Sequence, residues 1–317
     1  MRGEYFLKNC IVDSNVCVDF NNSSISIEGI KDNVVKLLSL EEELTYAKET
    51  GLLVIDGNIK QENLLQLALD IKNLLSLALG KMVIFDRQAY LINDELKEEK
   101  RKMLEPSNEG NQIIPSFELE DFLNQTLPKW TNLEKQQKDK LFVAIDYLNQ
   151  TRWGFIDDRI LRVTQAWESL ADNWGIKADL DNRLKDLQGK LNATYKEWRN
   201  SDFNKQVDPN GEIGSKISSA INQEKLLTKL IELSNSYGLK IEGLNLRELK
   251  RLRDQVAHTG RIEIKGTEAI HIIKPAITGL QIIILRFLGY SGKIISGKEN
   301  CRTFDYITDF STRLPSG

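Results

Sequence analysis

Residues 244–262, LNLRELKRLRDQVAHTGRI, make the C-terminal part of this chain read as packed helices. Apolar residues recur there with helical spacing, and Thr259-Gly260 resembles a helix C-terminus, so the pattern predicts a helix over about 245–259. At about 100° per residue, Leu246, Leu249, Leu252, Val256 and Ala257 share one arc, while Arg247, Lys250, Arg251, Asp254 and Gln255 take the opposite side. Arg253 falls inside the apolar arc, between Leu249 and Leu246. A guanidinium there is costly unless it is paired, reaches past the apolar rim to water, or serves an interface with a polar purpose. Asp254 and His258 are i and i+4 neighbours, so the carboxylate is placed to orient the imidazole. A histidine capping terminal carbonyls and an arginine snorkelling from a core face would account for the same pattern.

Outward from this helix, periodicity predicts others at about 133–152, 156–174, 179–200, 213–237 and 267–289, with SDFNKQVDPNGEIG (201–214) as the long polar connector among them. All five tryptophans fall between Trp130 and Trp198. Trp167 and Trp174 share a helix face, and they read as core anchors rather than as a base-stacking platform. Before residue 100 the pattern changes. EYFLKNCIV, VCVDF, SISIEGI, GLLVIDG and MVIFDRQAYLI are short strand-like runs, and QENLLQLALDIKNLLSLALG between the last two is a helix ending on a glycine cap. KRKMLEPSNEGNQIIPSF, with Pro106 and Pro115, separates the two regions. The reading is α+β: a mixed α/β module over 1–103, a linker over 104–118, an all-helical domain over 119–292, and a C-terminal extension over 293–317 that adds a short strand or two before a loose tail.

With 41% hydrophobic and 28% charged residues, the chain is an ordinary globular sequence long enough for two cores. Its net charge of -3 argues against a broad cationic surface for nucleic acid or membrane, so any nucleic-acid contact must be local. The first residues lack a signal-peptide pattern and no run suits a membrane span, which points to the cytoplasm. Cys10, Cys17 and Cys301 show no metal-ligand spacing and fit reduced thiols. There is no Walker-type phosphate loop, no GxGxxG after a strand and no GxSxG elbow. With only His258 and His271, histidine-based zinc sites are excluded. Asp157 and Asp158 could contribute to a magnesium site, but adjacent acids at a helix start more often favour the helix dipole. His271 reads as a structural histidine on an apolar helix, in which Pro275 marks a kink or break.

The segment RDQVAH, Arg253 to His258, resembles the R-polar-x3-H motif of HEPN-domain proteins, and its surroundings look most like the ApeA-type HEPN domain of bacterial phage-defence proteins. The resemblance covers roughly 120–290 and is specific around 244–262, where the motif helix precedes the long apolar helix EAIHIIKPAITGLQIIILRFLG. Glu168, in DDRILRVTQAWESLADNWG, lies on a helix similar in character to an earlier helix of such domains. The N-terminal module has no counterpart in the larger N-terminal regions of ApeA.

The resemblance implies an all-α bundle and a metal-independent endoribonuclease with no cofactor. Such cleavage needs a base for the 2′-hydroxyl, an acid for the leaving 5′-oxygen and a cation for the transition state. One chain offers one suitable histidine. A homodimer bringing two motif helices together would supply base and acid as two His258 side chains, with Arg253 on phosphate and Asp254 orienting His258. Arg247, Lys250 and Arg251 would guide the RNA backbone, and the products would carry 2′,3′-cyclic phosphate and 5′-hydroxyl ends. The biological setting implied is anti-phage defence or a growth-arresting toxin, with a phage-derived component or an antitoxin as further partner. The alternative is a non-catalytic HEPN scaffold or binding module of a toxin–antitoxin or defence complex.

Overall fold

The computed structural model describes residues 1–12, 15–30, 49–93, 95–101, 112–151, 154–173, 182–296 and 303–306. Strands β1 (Arg2–Lys8), β2 (Val16–Phe20), β3 (Ser23–Gly29), β4 (Gly51–Gly57), β5 (Ile84–Ile92) and β6 (Glu95–Arg101) form one antiparallel sheet of order β2-β3-β4-β1-β5-β6. Alternate residues face the core, as a sheet covered on one side requires: Tyr5 and Leu7, Val16 and Val18, Ile25 and Ile27, Leu53 and Ile55 are all buried. Helix α1 (Gln61–Leu79) lies against β1 and β4, and it comes so close that a Cβ on Gly3 would run into the Leu64 side chain. α1 ends on Gly80 at φ 62°, the expected glycine stop. β6, ELKEEKR, was not expected. Among the described strands it is an outer one, paired with β5, and its charges suit an edge that must not recruit further strands.

After a 3-10 turn at Ser116–Glu118 the chain is helical: α2 (Leu119–Thr131), α3 (Lys135–Gln150), α4 (Ile156–Asn173), α5 (Asn182–Arg199), α6 (Asp202–Val207), α7 (Glu212–Ser236), α8 (Leu246–Thr259) and α9 (Gly266–Phe287). α2 was not anticipated, because Pro128 falls within it, and α6 occupies the stretch read as a polar connector. The strands foreseen after 293 are β7 (Lys293–Ser296) and β8 (Thr303–Tyr306), an antiparallel pair.

α4 is the hub, packing against α3, α7, α8 and α9. Trp167 on α4 is fully buried, its Nε1 donates to the Ala276 carbonyl of α9 at 3.2 Å, and its ring lies over Gly279, where a Cβ would stand 3.0 Å away. Trp130 is likewise a core anchor, whereas Trp198 is part-exposed; Trp153 and Trp174 lie outside the described residues. α9 is long and apolar enough to cross a membrane by composition, yet it buries Ile273, Ala276, Leu280 and Ile282 to Leu285 in this bundle. It continues through Pro275 without a break, and His271 is exposed on it rather than buried.

Sheet and bundle share one continuous core. The buried carboxylate of Asp70 on α1 accepts from Trp130 Nε1 at 3.0 Å and from Lys138 Nζ at 3.0 Å, tying α1 to α2 and α3. Of the segment expected to be a linker, residues 104–111 lie outside the described residues. In the remainder, Ile113 and Ile114 are built into the core: both are buried, both their N–H groups donate to the Ala78 carbonyl, and Ile113 accepts from the Ile295 N–H of β7.

Candidate functional site

α8 begins where Asn245 accepts the Glu248 N–H at 3.0 Å, and it ends where Gly260, at φ 76°, donates to the Val256 carbonyl at 2.8 Å. Leu246, Leu249, Leu252 and Val256 are its buried residues, packed toward α4, α7 and α9. Ala257, assigned to the apolar arc by angle, is exposed, because the buried arc is centred on Leu249 and Val256 and Ala257 lies beyond its rim. Arg253 sits on that same rim.

Arg253 keeps 36% of its side-chain area in solvent. Its Nη1 donates to Asp254 Oδ1 at 3.2 Å, and its Nη2 stands 3.6 Å from Glu168 Oε1 on α4. The arginine is therefore neither deep in the bundle nor unpaired. Its contact with Glu168 is an ion pair too long for a hydrogen bond, and Oε1 of Glu168 is buried without a hydrogen-bond partner. Burial pushes the Glu168 carboxyl above the ordinary carboxylate range; Arg253 pulls it down and Asp172 adds to the rise. Lys229 of α7 pairs with Asp172 at 3.0 Å, which completes a belt of alternating charges across α4, α7 and α8.

The expected link from Asp254 to His258 is not made. Asp254 gives Oδ1 to Arg253 and Oδ2 to Lys250 Nζ, the latter at 2.8 Å with both side chains largely buried. Lys250 and His258 lie four residues on either side of Asp254, and the buried lysine has the stronger claim because its charge needs a partner. His258 is exposed at the last turn of α8, and among the described residues no hydrogen bond joins it to Asp254.

The three cations proposed to guide RNA also separate. Lys250 is committed to Asp254. Arg251 grips Glu248 through three hydrogen bonds, the shortest 2.6 Å, and holds that carboxyl below its usual range. Arg247 is exposed and makes no ion pair among the described residues. The loop after α8 is held firmly: Thr259 Oγ1 bonds the Gln255 and Arg261 carbonyls at 2.8 Å each, and Asp157 Oδ1 accepts from the Ile262 N–H at 2.9 Å. Asp157 thus anchors this loop to the start of α4, a contact no local spacing could announce.

No family model, curated protein or solved structure matches this chain. The site therefore rests on its own geometry. Among the described residues no three His, Cys, Asp or Glu side chains gather as a metal ion would need. Cys10 is buried, and burial pushes its thiol up to about 12; Cys17 is an exposed free thiol, and Cys301 lies outside the described residues. What α8 offers chemically is an exposed imidazole on a fixed helix end and a guanidinium on the rim with a loosely held partner.

Proposed function

We propose that this chain is a metal-independent endoribonuclease of the HEPN kind, acting as a homodimer in anti-phage defence or as a growth-arresting toxin in the cytoplasm. The observation that carries the reading is the R-polar-x3-H segment closing a capped helix, with His258 open to solvent and Arg253 on the rim of the buried face. His258 takes the 2′-hydroxyl proton, the same residue of a second copy protonates the 5′-oxygen, and Arg253 leaves Glu168 to clamp the phosphate. Five residues of helix turn Arg253 and His258 about 140° apart, so one phosphate meets both most readily where two α8 helices face each other. Arg247 supplies the accessible charge for the RNA backbone. RNA cleaved this way ends in 2′,3′-cyclic phosphate and 5′-hydroxyl.

One observation favours a second reading, a non-catalytic HEPN scaffold or binding module of a toxin–antitoxin or defence complex: Asp254 faces Lys250 and Arg253, leaving His258 without an orienting acid. The two part company in one assay. Purified chain is incubated with transfer RNA in EDTA, and wild type, His258→Ala and Arg253→Ala are compared, with sedimentation to give the oligomeric state. The nuclease reading expects cyclic-phosphate products and a loss of about 10²- to 10⁴-fold in His258→Ala. Equal cleavage by all three chains, or none by wild type, leaves the scaffold. Cleavage by a strict monomer rules out the two-histidine arrangement.

A further inference from the structure

A cleft of about 960 Å³ opens between α5, α6 and the first turn of α7, away from α8, with Tyr195, Lys196, Arg199, Lys205, Gly211 and Gly214 in its walls. Its frame is rigid. Asp208 is buried and accepts from Tyr195 Oη at 2.6 Å, from the Glu212 N–H at 2.7 Å and from the Ile213 N–H at 3.2 Å, capping α7 from behind. Arg199 donates its Nε to the Asp208 carbonyl at 3.3 Å and its Nη2 to the Pro209 carbonyl at 2.8 Å. Two of its nitrogens thus fix the guanidinium plane, while Nη1 lies on the Gly211 side, 3.4 Å from where a Cβ would stand. Gly211, at φ 72°, and Gly214, where a Cβ would strike the Tyr195 ring, let the start of α7 lie close against Arg199 and Tyr195.

The chemistry of these walls is specific. Three cations line the cleft and no carboxylate does, in a chain whose net charge is -3. Asp208, the acid behind the cleft, has its oxygens turned inward onto three donors. Lys196 makes no ion pair among the described residues, and Lys205 is held only at 3.5 Å by the exposed Asp202. Arg199 makes its hydrogen bonds to neutral carbonyls and not to a carboxylate, so its fork is not closed by an acid, although the Asp208 carboxylate lies near enough to offset part of its charge. Three asparagine side chains add neutral donors and acceptors, and the Tyr195 ring, stacked with Trp198 at 6.1 Å, provides an aromatic wall. The volume is at the upper end of small-ligand sites, roughly 300–1,000 Å³.

We propose that this cleft binds a nucleoside phosphate, with Arg199, Lys196 and Lys205 on the phosphates and Tyr195 against the base. The nucleotide comes either free or as part of a single RNA strand; the proposal is independent of any reaction at His258. The test is calorimetry on the full chain with ATP, inorganic triphosphate and a short single-stranded oligoribonucleotide, using wild type, Lys196→Glu and Lys205→Glu. Both lysines are exposed, so folding is retained and circular dichroism checks it; Arg199→Lys is a third variant that keeps the charge and loses the fork. ATP or the oligonucleotide should bind wild type, and each lysine variant should weaken that binding about tenfold or more. Equal ATP and oligonucleotide affinity marks a free nucleotide, whereas tighter oligonucleotide binding with a steeper salt dependence marks a strand. Absence of binding by both, or lysine variants that bind like wild type, overturns the proposal. Triphosphate binding as well as ATP does removes the base from it.

Discussion

Asp70 and Glu168 are both carboxylates enclosed where helices meet, and they are treated in opposite ways. Asp70 is 3% exposed, and both its oxygens are used, Oδ1 by Trp130 and Gln66 and Oδ2 by Lys138. Glu168 has a buried oxygen with no hydrogen bond and a guanidinium 3.6 Å away. A fully satisfied buried charge fixes one arrangement of the elements around it. An incompletely satisfied one leaves its cation available for exchange with a better anion. Asp70 belongs to the joint between sheet and bundle, and Glu168 to the face from which Arg253 is proposed to act.

This contrast can be broken by substitution. Asp70→Ala leaves Lys138 and the buried Trp130 N–H without a partner, and it should cost about 3–5 kcal/mol in denaturant unfolding. Lys138→Met removes one charged hydrogen bond from Asp70 and leaves two others, for an expected loss of about 1.5–3 kcal/mol. Arg253→Met should cost under about 1 kcal/mol, since its side chain is 36% exposed and its ion pairs are screened. If Arg253→Met cost as much as Asp70→Ala, the two carboxylates would be equivalent joints and the contrast would fail. Glu168→Gln sharpens it further through pH. Because burial raises the Glu168 pKa in the folded chain, its ionisation disfavours folding. The stability of the wild type that depends on Glu168 is full below its unfolded pKa and declines as pH rises through the raised folded one. Glu168→Gln should therefore gain stability relative to wild type as pH rises from 4 to 7, and the melting-temperature difference between the two should show that sign.

How much of this was legible in the sequence depends on the range of the interaction. The C-terminal limit of α8 was readable because its signal, Thr259-Gly260, is local, and periodicity alone placed its start within a residue of Leu246. The burial of Leu249 and Val256 was readable because periodicity records which face is covered. α2 was obscured by Pro128, and β6 by a run of charges that only an edge strand tolerates. Asp254 offered two partners at equal spacing, and the choice of Lys250 over His258 was decided by burial, which spacing does not encode. Glu168 was visible as an acid in an otherwise apolar neighbourhood, but its pairing with Arg253 joins helices that are far apart in the chain and adjacent only in the fold. The cleft framed by Asp208 was hidden in a stretch whose polar composition reads as a connector, although every residue that shapes it lies within a short span of chain.

The Ile113 carbonyl bonded to the Ile295 N–H, beside two N–H groups held by Ala78, has a kinetic meaning. Three stretches far apart in the chain close on one another there, and the last of them is synthesised long after the residues of the six-stranded sheet. The end of α1 must wait for its final neighbours, so this closure raises the mean sequence separation of native contacts and makes late steps of folding slow. Once made, it couples the early and late parts of the chain, and the amides of Ile113, Ile114 and Ile295 should exchange with solvent together, at the rate of the most global opening.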